Sequence, residues 1–217
     1  MKNALLILSG GMDSVTMLYD YIDEIALAVS FDYGSNHNDK EIPFAQYHCK
    51  KLGVLHLTIP LKFMRDNFTS SLFSGADAIP EGSYADTNMK STVVPFRNGI
   101  MLSIAAGIAE SRGLTKVMMA NHFGDHDIYP DCRDNFVKYM SDAISAGTYA
   151  GITIDAPYTK ISKAEIARRG KMLSIDYSQT WSCYKGESIH CGKCATCIER
   201  KAALSNAGIE DTTVYGA

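Results

Sequence analysis

Apolar residues in this chain gather into short continuous runs, separated by longer stretches in which they recur every three or four positions. The runs Ala4–Leu8, Ile25–Phe31, Leu55–Ile59, Lys116–Ala120 and Gly151–Ala156 read as short buried strands. Helices are expected between them, over Asp13–Tyr21, Lys40–Leu52, Asn98–Arg112, Arg133–Ala146 and Ser162–Leu173. The clearest of these carries Met101, Ile104, Ala105 and Ile108 at i, i+3, i+4 and i+7, and Gly113 supplies its stop. Such alternation predicts an α/β fold: a doubly wound, parallel, five-stranded sheet covered on both faces. Ligands bind such sheets at the carboxyl ends of the strands, near the point where strand order reverses. The stretch Leu61 to Phe96 lacks any clear period. A connection of that length is expected to act as a functional lid, with room for a short helix.

Composition narrows the function classes. At 217 residues, 46% apolar and 21% charged, the chain is long enough to bury a sizeable core. Its formal net charge of −3 supplies no broad basic field for nucleic acid or an anionic membrane. The N-terminal apolar run is shorter than a signal-peptide core, and no continuous apolar run reaches the roughly 18 residues needed to span a bilayer. A cytoplasmic location is therefore expected, with no membrane partner and no direct nucleic-acid partner.

The first strand ends in the sequence LSGGMDS, residues 8–14. Gly10 and Gly11 let the backbone turn sharply and approach a ligand, and a helix starting near Asp13 aims unpaired N–H groups into the same space. Ser9 and Ser14 can add hydroxyl donors. Asp13 is open to two readings, as a ligand of Mg²⁺ or as a helix cap, and a plain strand-to-helix turn would use similar residues. Neither G-x-x-x-x-G-K-[ST] nor a G-x-G-x-x-G after a strand is present. The S-G-G-x-D-S pattern instead resembles the pyrophosphate loop of the adenine-nucleotide alpha-hydrolase superfamily, whose members cleave ATP between the α and β phosphates.

A second signal lies near the C-terminus, where Cys183, Cys191, Cys194 and Cys197 end in a C-x-x-C-x-x-C run. Four thiolates at this spacing can close a tetrahedron around one structural Zn²⁺. Lys185, His190, Lys193, Arg200 and Lys201 lie close enough in sequence to offset its charge. A disulfide pair and an iron–sulfur cluster are the competing readings. The expected division is a nucleotide-binding domain over residues 1–176 and a zinc-binding helical segment over 177–217 packed on it. Cys49, on a predicted helix, reads as a small core residue.

Taken together with "FDYGSNH" (31–37), "STVVPFRN" (91–98), "YPDCRDNF" (129–136) and "SKAEIA" (162–167), these two signals resemble, nearly end to end, the 7-cyano-7-deazaguanine synthase family of the queuosine precursor pathway. One departure is visible: Phe96 stands where many members of that family carry Gly, which puts a bulky ring beside Arg97. The resemblance implies an adenine-nucleotide alpha-hydrolase-like fold and an ATP-dependent conversion of 7-carboxy-7-deazaguanine and ammonia to 7-cyano-7-deazaguanine, with Mg²⁺, two ATP and a homodimeric enzyme. It implies that Leu8, Ser9, Gly10, Gly11, Met12, Asp13 and Ser14 cradle the phosphates, and that Asp32 and Tyr33 meet adenine and ribose. Asp13, Lys163 and Arg97 are the expected catalytic groups.

Lys163 could equally be a solvated lysine at a helix start, and Tyr33 a core residue. A deazaguanine ring presents N–H donors that a carboxylate matches, which nominates Asp131 and Asp125 as readers; Asp131 could also cap a helix. Arg97 or Arg133 could pair the substrate carboxylate bidentately. His122 or His126, in a run that includes Asp125 and Asp127, could carry protons or hold a metal. Two other classes use parts of the same signals. A tRNA-modifying enzyme of the thiolation or lysidine type would normally bring a basic surface, and a zinc-ribbon binding module would leave LSGGMDS unexplained.

Overall fold

The computed structural model describes residues 2–73, 75–76, 78–83, 87–126 and 128–216. Five strands, β1 (Ala4–Ile7), β2 (Ile25–Asp32), β3 (Leu55–Pro60), β4 (Lys116–Met118) and β5 (Thr153–Asp155), pair in parallel in the order β3-β2-β1-β4-β5. The order reverses between β1 and β4, so the topological switch point falls beside the carboxyl end of β1.

Successive side chains of a strand point to opposite faces, and β1 divides accordingly. Leu5 joins one hydrophobic cluster with Leu102, Ala105 and Ala109 of α4 (Arg97–Ser111) and Ile144 of α5 (Asp134–Gly147). Ala4 and Leu6 join the other, with Val15 and Leu18 of α1 (Met12–Asp20), Ala45 and Cys49 of α2 (Asn38–Leu52), and Ile166 and Ala167 of α6 (Lys163–Met172). Helices thus cover both faces, as expected of strands that read as continuous apolar runs. The stretch Met89–Ser111 has the length and apolar content of a membrane span, with mean hydropathy 1.3. Its helical part is α4, whose buried face lies in the core of the sheet.

Expected and observed boundaries agree within one or two residues for most elements. The last two strands are shorter than the apolar runs that announced them, with three residues each. The aperiodic stretch 61–96 holds a short helix, α3 (Phe63–Asn67), and a 3₁₀ turn at Thr87–Thr92. The C-terminal segment ends in α7 (Ala195–Asn206) and contributes to both clusters: Trp181 and the four clustered cysteines to one, Ala203 and Leu204 to the other. Arg200 of α7 is fully buried and donates to Thr180 Oγ1 (2.8 Å), Ser182 Oγ (3.2 Å), Thr213 Oγ1 (3.0 Å) and the Tyr177 carbonyl. It fastens the segment on both sides of the cysteines.

Phe96 precedes α4 in the left-handed region, at φ 52° and ψ 29°, where a residue with a Cβ is strained by about 1–2 kcal/mol and glycine is not. Its ring folds back over the helix, contacts Phe136 edge-on at 5.9 Å, and fills the space a Cβ on Gly99 would need. The departure seen in the sequence is therefore accommodated by the missing side chain one turn into α4. Gly99→Ala is expected to destabilise the protein by about 1–2 kcal/mol, and Phe96→Gly to remove that penalty. Denaturant melts of both single variants and the double variant should show a coupling of about 1 kcal/mol or more.

Candidate functional site

Between β1 and α1 the chain turns through Gly10, at φ 101°. A Cβ there would collide with the main-chain carbonyl of Glu41, so only glycine lets the loop lie flat against the start of α2. Gly11 caps α1 without a side-chain bond, which leaves the helix N-terminus facing outward. Ser9 and Ser14 brace the turn: their hydroxyls lie 3.0 Å apart, the Ser9 N–H donates to Ser14 Oγ (3.2 Å), and the Gly11 N–H donates to Ser9 Oγ (3.1 Å). The Trp181 N–H donates to the Gly10 carbonyl at 3.1 Å, tying the loop to the segment before the cysteines.

Beside this loop opens a cavity of about 230 Å³ at the carboxyl ends of β1, β2 and β4. Leu8, Ser9, Gly11, Met12, Asp13 and Ser14 form one wall. Lys163, the first residue of α6, enters with its ammonium 3.0 Å from Asp13 Oδ2 and 2.9 Å from Glu199 Oε2. Burial opposes its charge, but the carboxylates of Asp13, Glu199 and Asp125 outweigh that and hold it protonated above its usual range. Asp13 is thus an ion-pair partner rather than a helix cap, and its other oxygen, Oδ1, is buried without a hydrogen bond. Lys163 is not a solvated lysine; its side chain is only 10% exposed.

Arg97 and Tyr33 line the same cavity. Arg97 Nη1 donates to the Tyr33 hydroxyl at 3.3 Å, with the guanidinium 5.6 Å from the ring centre. Burial disfavours its charge, and Tyr33, Tyr184 and Asp131 more than restore it. Tyr33 is largely buried, yet it also lines the cavity. Asp125 lines the cavity and accepts the His122 N–H at 3.0 Å.

Other expected site residues lie elsewhere. Gly10 and Asp32 do not line the cavity; Gly10 shapes the loop from behind, and Asp32 accepts the Gly34 N–H at 3.2 Å. Asp131 accepts the Asn98 N–H at 2.8 Å and so holds the start of α4, adjacent to Arg97. Arg133 turns away, donating to the His126 carbonyl at 2.9 Å. His122 is buried as the cap of the 3₁₀ turn Phe123–Asp125, with Nε2 3.6 Å from carboxylate oxygens of Asp125 and Glu199. Neither His122 nor His126 reaches the cavity lining, and Asp127 lies outside the described residues.

Several lining residues escaped the sequence reading. Asn121 Nδ2 donates to the Cys132 carbonyl (2.6 Å) and to Thr159 Oγ1 (3.2 Å), which fixes the amide and leaves its buried oxygen without a partner. Glu41, in the first turn of α2, has a side chain 14% exposed and sits 3.8 Å from His37 Nε2. Burial pushes its carboxyl up to about 8 against the pull of Arg97 and Lys163, while burial and the Arg97 charge push His37 down to about 3. The only hint in sequence was the spacing of His37 and Glu41, one helical turn apart.

Cys183, Cys191, Cys194 and Cys197 are all buried, and their sulfurs lie within 4.8 Å of one another. None is in a disulfide. Main-chain N–H groups of Cys191, Lys193 and Cys194 point at these sulfurs over 3.3–3.4 Å, an arrangement suited to thiolates around a metal ion. Among the described residues no other group of His, Cys, Asp and Glu is arranged to hold one.

The model of the family described as "Queuosine biosynthesis protein QueC" matches residues 3–208. The chain belongs to the QueC family. It is 59% identical, over 99% of this chain and 97% of the relative, to a 7-cyano-7-deazaguanine synthase of Porphyromonas gingivalis. It is 47% identical, over 99% of both chains, to one of Desulfotalea psychrophila. Among solved structures, NMN synthetase from Francisella tularensis shares the fold at TM-score 0.51 and 12% identity, over 97% of this chain and 79% of that one. For a QueC-family chain, Gly10→Ala tests whether the loop needs its left-handed turn. The variant is expected to lose nucleotide affinity at least tenfold, because the loop must leave the Glu41 carbonyl, and titration of ATP by calorimetry measures it.

Proposed function

We propose that this chain converts 7-carboxy-7-deazaguanine and ammonia to 7-cyano-7-deazaguanine with two ATP, in the cytoplasm. The observation that carries the reading is the cavity at the switch point, which brings a helix N-terminus without a side-chain cap, a held ammonium and a guanidinium into one lining. In a QueC-family chain this pairing suits a substrate carboxylate brought to the α-phosphorus of ATP.

A carboxylate resists attack by ammonia until one of its oxygens is part of a leaving group. The N–H groups at the start of α1, with Ser9 and Ser14, hold the ATP phosphates, and Lys163 stabilises charge on the departing pyrophosphate. Arg97 holds the substrate carboxylate in line, a task for a planar two-pronged cation. Ammonia then displaces AMP to give an amide, and adenylation of the amide oxygen prepares its loss as AMP to leave the nitrile. One cradle serves both halves. Asp125 and the unpartnered oxygen of Asn121 are suited to the N–H edge of the deazapurine, and Asp131 positions Arg97 by holding the start of α4. Tyr33 borders the nucleotide side; Asp32 acts only through the β2 turn.

The free Oδ1 of Asp13 fits a Mg²⁺ ion accompanying ATP, which would neutralise charge on the phosphates. The four thiols fit one Zn²⁺: the 4.0 Å between Cys191 and Cys197 sulfurs is close to the ~3.8 Å edge of a tetrahedron with 2.3 Å bonds. In this reading residues 1–176 bind the nucleotide and 177–217 supply the metal-braced wall, in a homodimer. The alternatives fit less well, since the family match runs through loop, cavity and cysteines together.

Two measurements test the proposal. Chromatography of the nucleotide products should show AMP and pyrophosphate formed only when the deazapurine carboxylate is present; ADP as main product would refute it. Elemental analysis should find one zinc per chain, and Cys194→Ser is expected to lose the metal and to lower the melting temperature by more than about 10 °C, because closure of the site is part of the folding energy.

A further inference from the structure

Among the described residues, three carboxyl groups line the cavity: Asp13, Glu41 and Asp125. Asp13 is committed to Lys163, and Asp125 to the His122 N–H. Glu41 accepts no hydrogen bond among the described residues; its nearest polar neighbour is the His37 ring at 3.8 Å, which burial keeps neutral. The same residue presses its main-chain carbonyl against Gly10, so its position is fixed relative to the phosphate loop. Its Oε1 lies 3.8 Å from where a Cβ on Gly11 would stand, in the cavity that Lys163 and Arg97 also line. The activated carbon of the proposed reaction must lie in this same cavity.

The reaction needs a group at that place. Ammonia is largely ammonium at neutral pH, and its nitrogen must shed every proton before it ends as a nitrile. We propose that Glu41 is the base of this cavity, taking protons from the ammonia nitrogen in both halves of the reaction. In the first half the Glu41 carboxylate takes a proton from ammonium. The freed lone pair forms the C–N bond, the nitrogen loses a second proton, and the C–O bond to AMP breaks to give the amide. In the second half the adenylated amide loses one proton to give a neutral imidate. Loss of the other lets the N–H electron pair become the third C–N bond as the C–O bond to AMP breaks. Each proton passes from the carboxyl to water through the exposed part of the side chain.

The surroundings suit such a base. The groups facing it are Arg97 from α4, Lys163 from α6 and His37 beside its own helix, and burial outweighs the two cations. A carboxyl held near 8 captures a proton from nitrogen far better than one at its ordinary value of 4.5. Its ionised fraction falls as pH drops below about 8, so at a fixed concentration of free ammonia the amidation rate is expected to rise with pH through that region.

The proposal rests on the reaction given above, and its test separates the two. Full-length, metal-loaded Glu41→Gln is compared with the native protein in four assays. Carboxylate-dependent exchange of pyrophosphate into ATP reads the first activation, and is expected to stay within about threefold of native. Amide formation from ammonium is expected to fall about 10²–10⁴-fold, as is nitrile formation from the amide. Hydroxylamine, uncharged at neutral pH, should restore acyl transfer as the hydroxamate to within about tenfold of native. Loss of exchange in Glu41→Gln would assign the residue to nucleotide binding and overturn the proposal, as would unchanged amidation. Absence of exchange in the native protein would overturn the reaction itself and the base with it. If Glu41→Gln melts early, Glu41→Asp, which keeps the acid but shortens its reach, is expected to slow amidation while hydroxylamine transfer is retained; equal loss of both would overturn the proposal.

Discussion

One buried ammonium joins the parts of this protein. Lys163 begins α6, Asp13 lies in the first turn of α1, and Glu199 belongs to α7 just after the last cysteine. A cation withdrawn from water is costly unless it is paired, and here two carboxylates from different helices pair it. Removing the lysine would leave both carboxylates facing each other without their cation, a cost on the order of 3–5 kcal/mol for a buried pair. The arrangement fixes where the ammonium points before any nucleotide arrives, and preorganised charge is worth more to catalysis than charge that must be recruited. It also makes the position of the loop depend on that of α7.

The strands and most helices were legible because they obey local rules. β1 is apolar throughout and β2 nearly so, as strands covered on both faces must be, and α4 carries its apolar residues at helical spacing. The loop was legible for a different reason: Gly10 is compelled by a main-chain collision, and a compelled glycine leaves its mark in sequence. Glu41 left no such mark. Its significance comes from where α2 sets it relative to Gly10, Arg97 and Lys163, residues separated by long stretches of chain. Asp131 could be read from sequence as a ligand reader or as a helix cap, and its carboxylate accepts the Asn98 N–H at the start of the neighbouring helix. Phe96 was visible as a departure, but its accommodation by Gly99 depends on the ring folding back along α4.

The cysteine cluster contributes more than local stability. Trp181, Ser182 and Tyr184 flank Cys183 and line the cavity, as does Thr196, between Cys194 and Cys197. Trp181 also grips the Gly10 carbonyl. A metal ion closing the four thiols would therefore stiffen this wall of the cavity, while having no open position for chemistry of its own. Arg200 serves the same wall from beneath, through Thr180 and Ser182.

The grip of Trp181 on Gly10 spans nearly the whole chain, and this governs the order in which the molecule can be made. The β1–α1 loop is made from residues 8–14, but the segment that faces it, the lysine beside it and the carboxylate that steadies that lysine lie between residues 163 and 199 and are synthesised much later. Contacts of such sequence separation form slowly, because loop closure must precede any gain from them. A nascent chain can form the β1–β2–β3 half of the sheet from its own residues, yet it has no complete cradle until α7 docks. The turn between β1 and α1 is therefore fully braced only once synthesis has run past the cysteines.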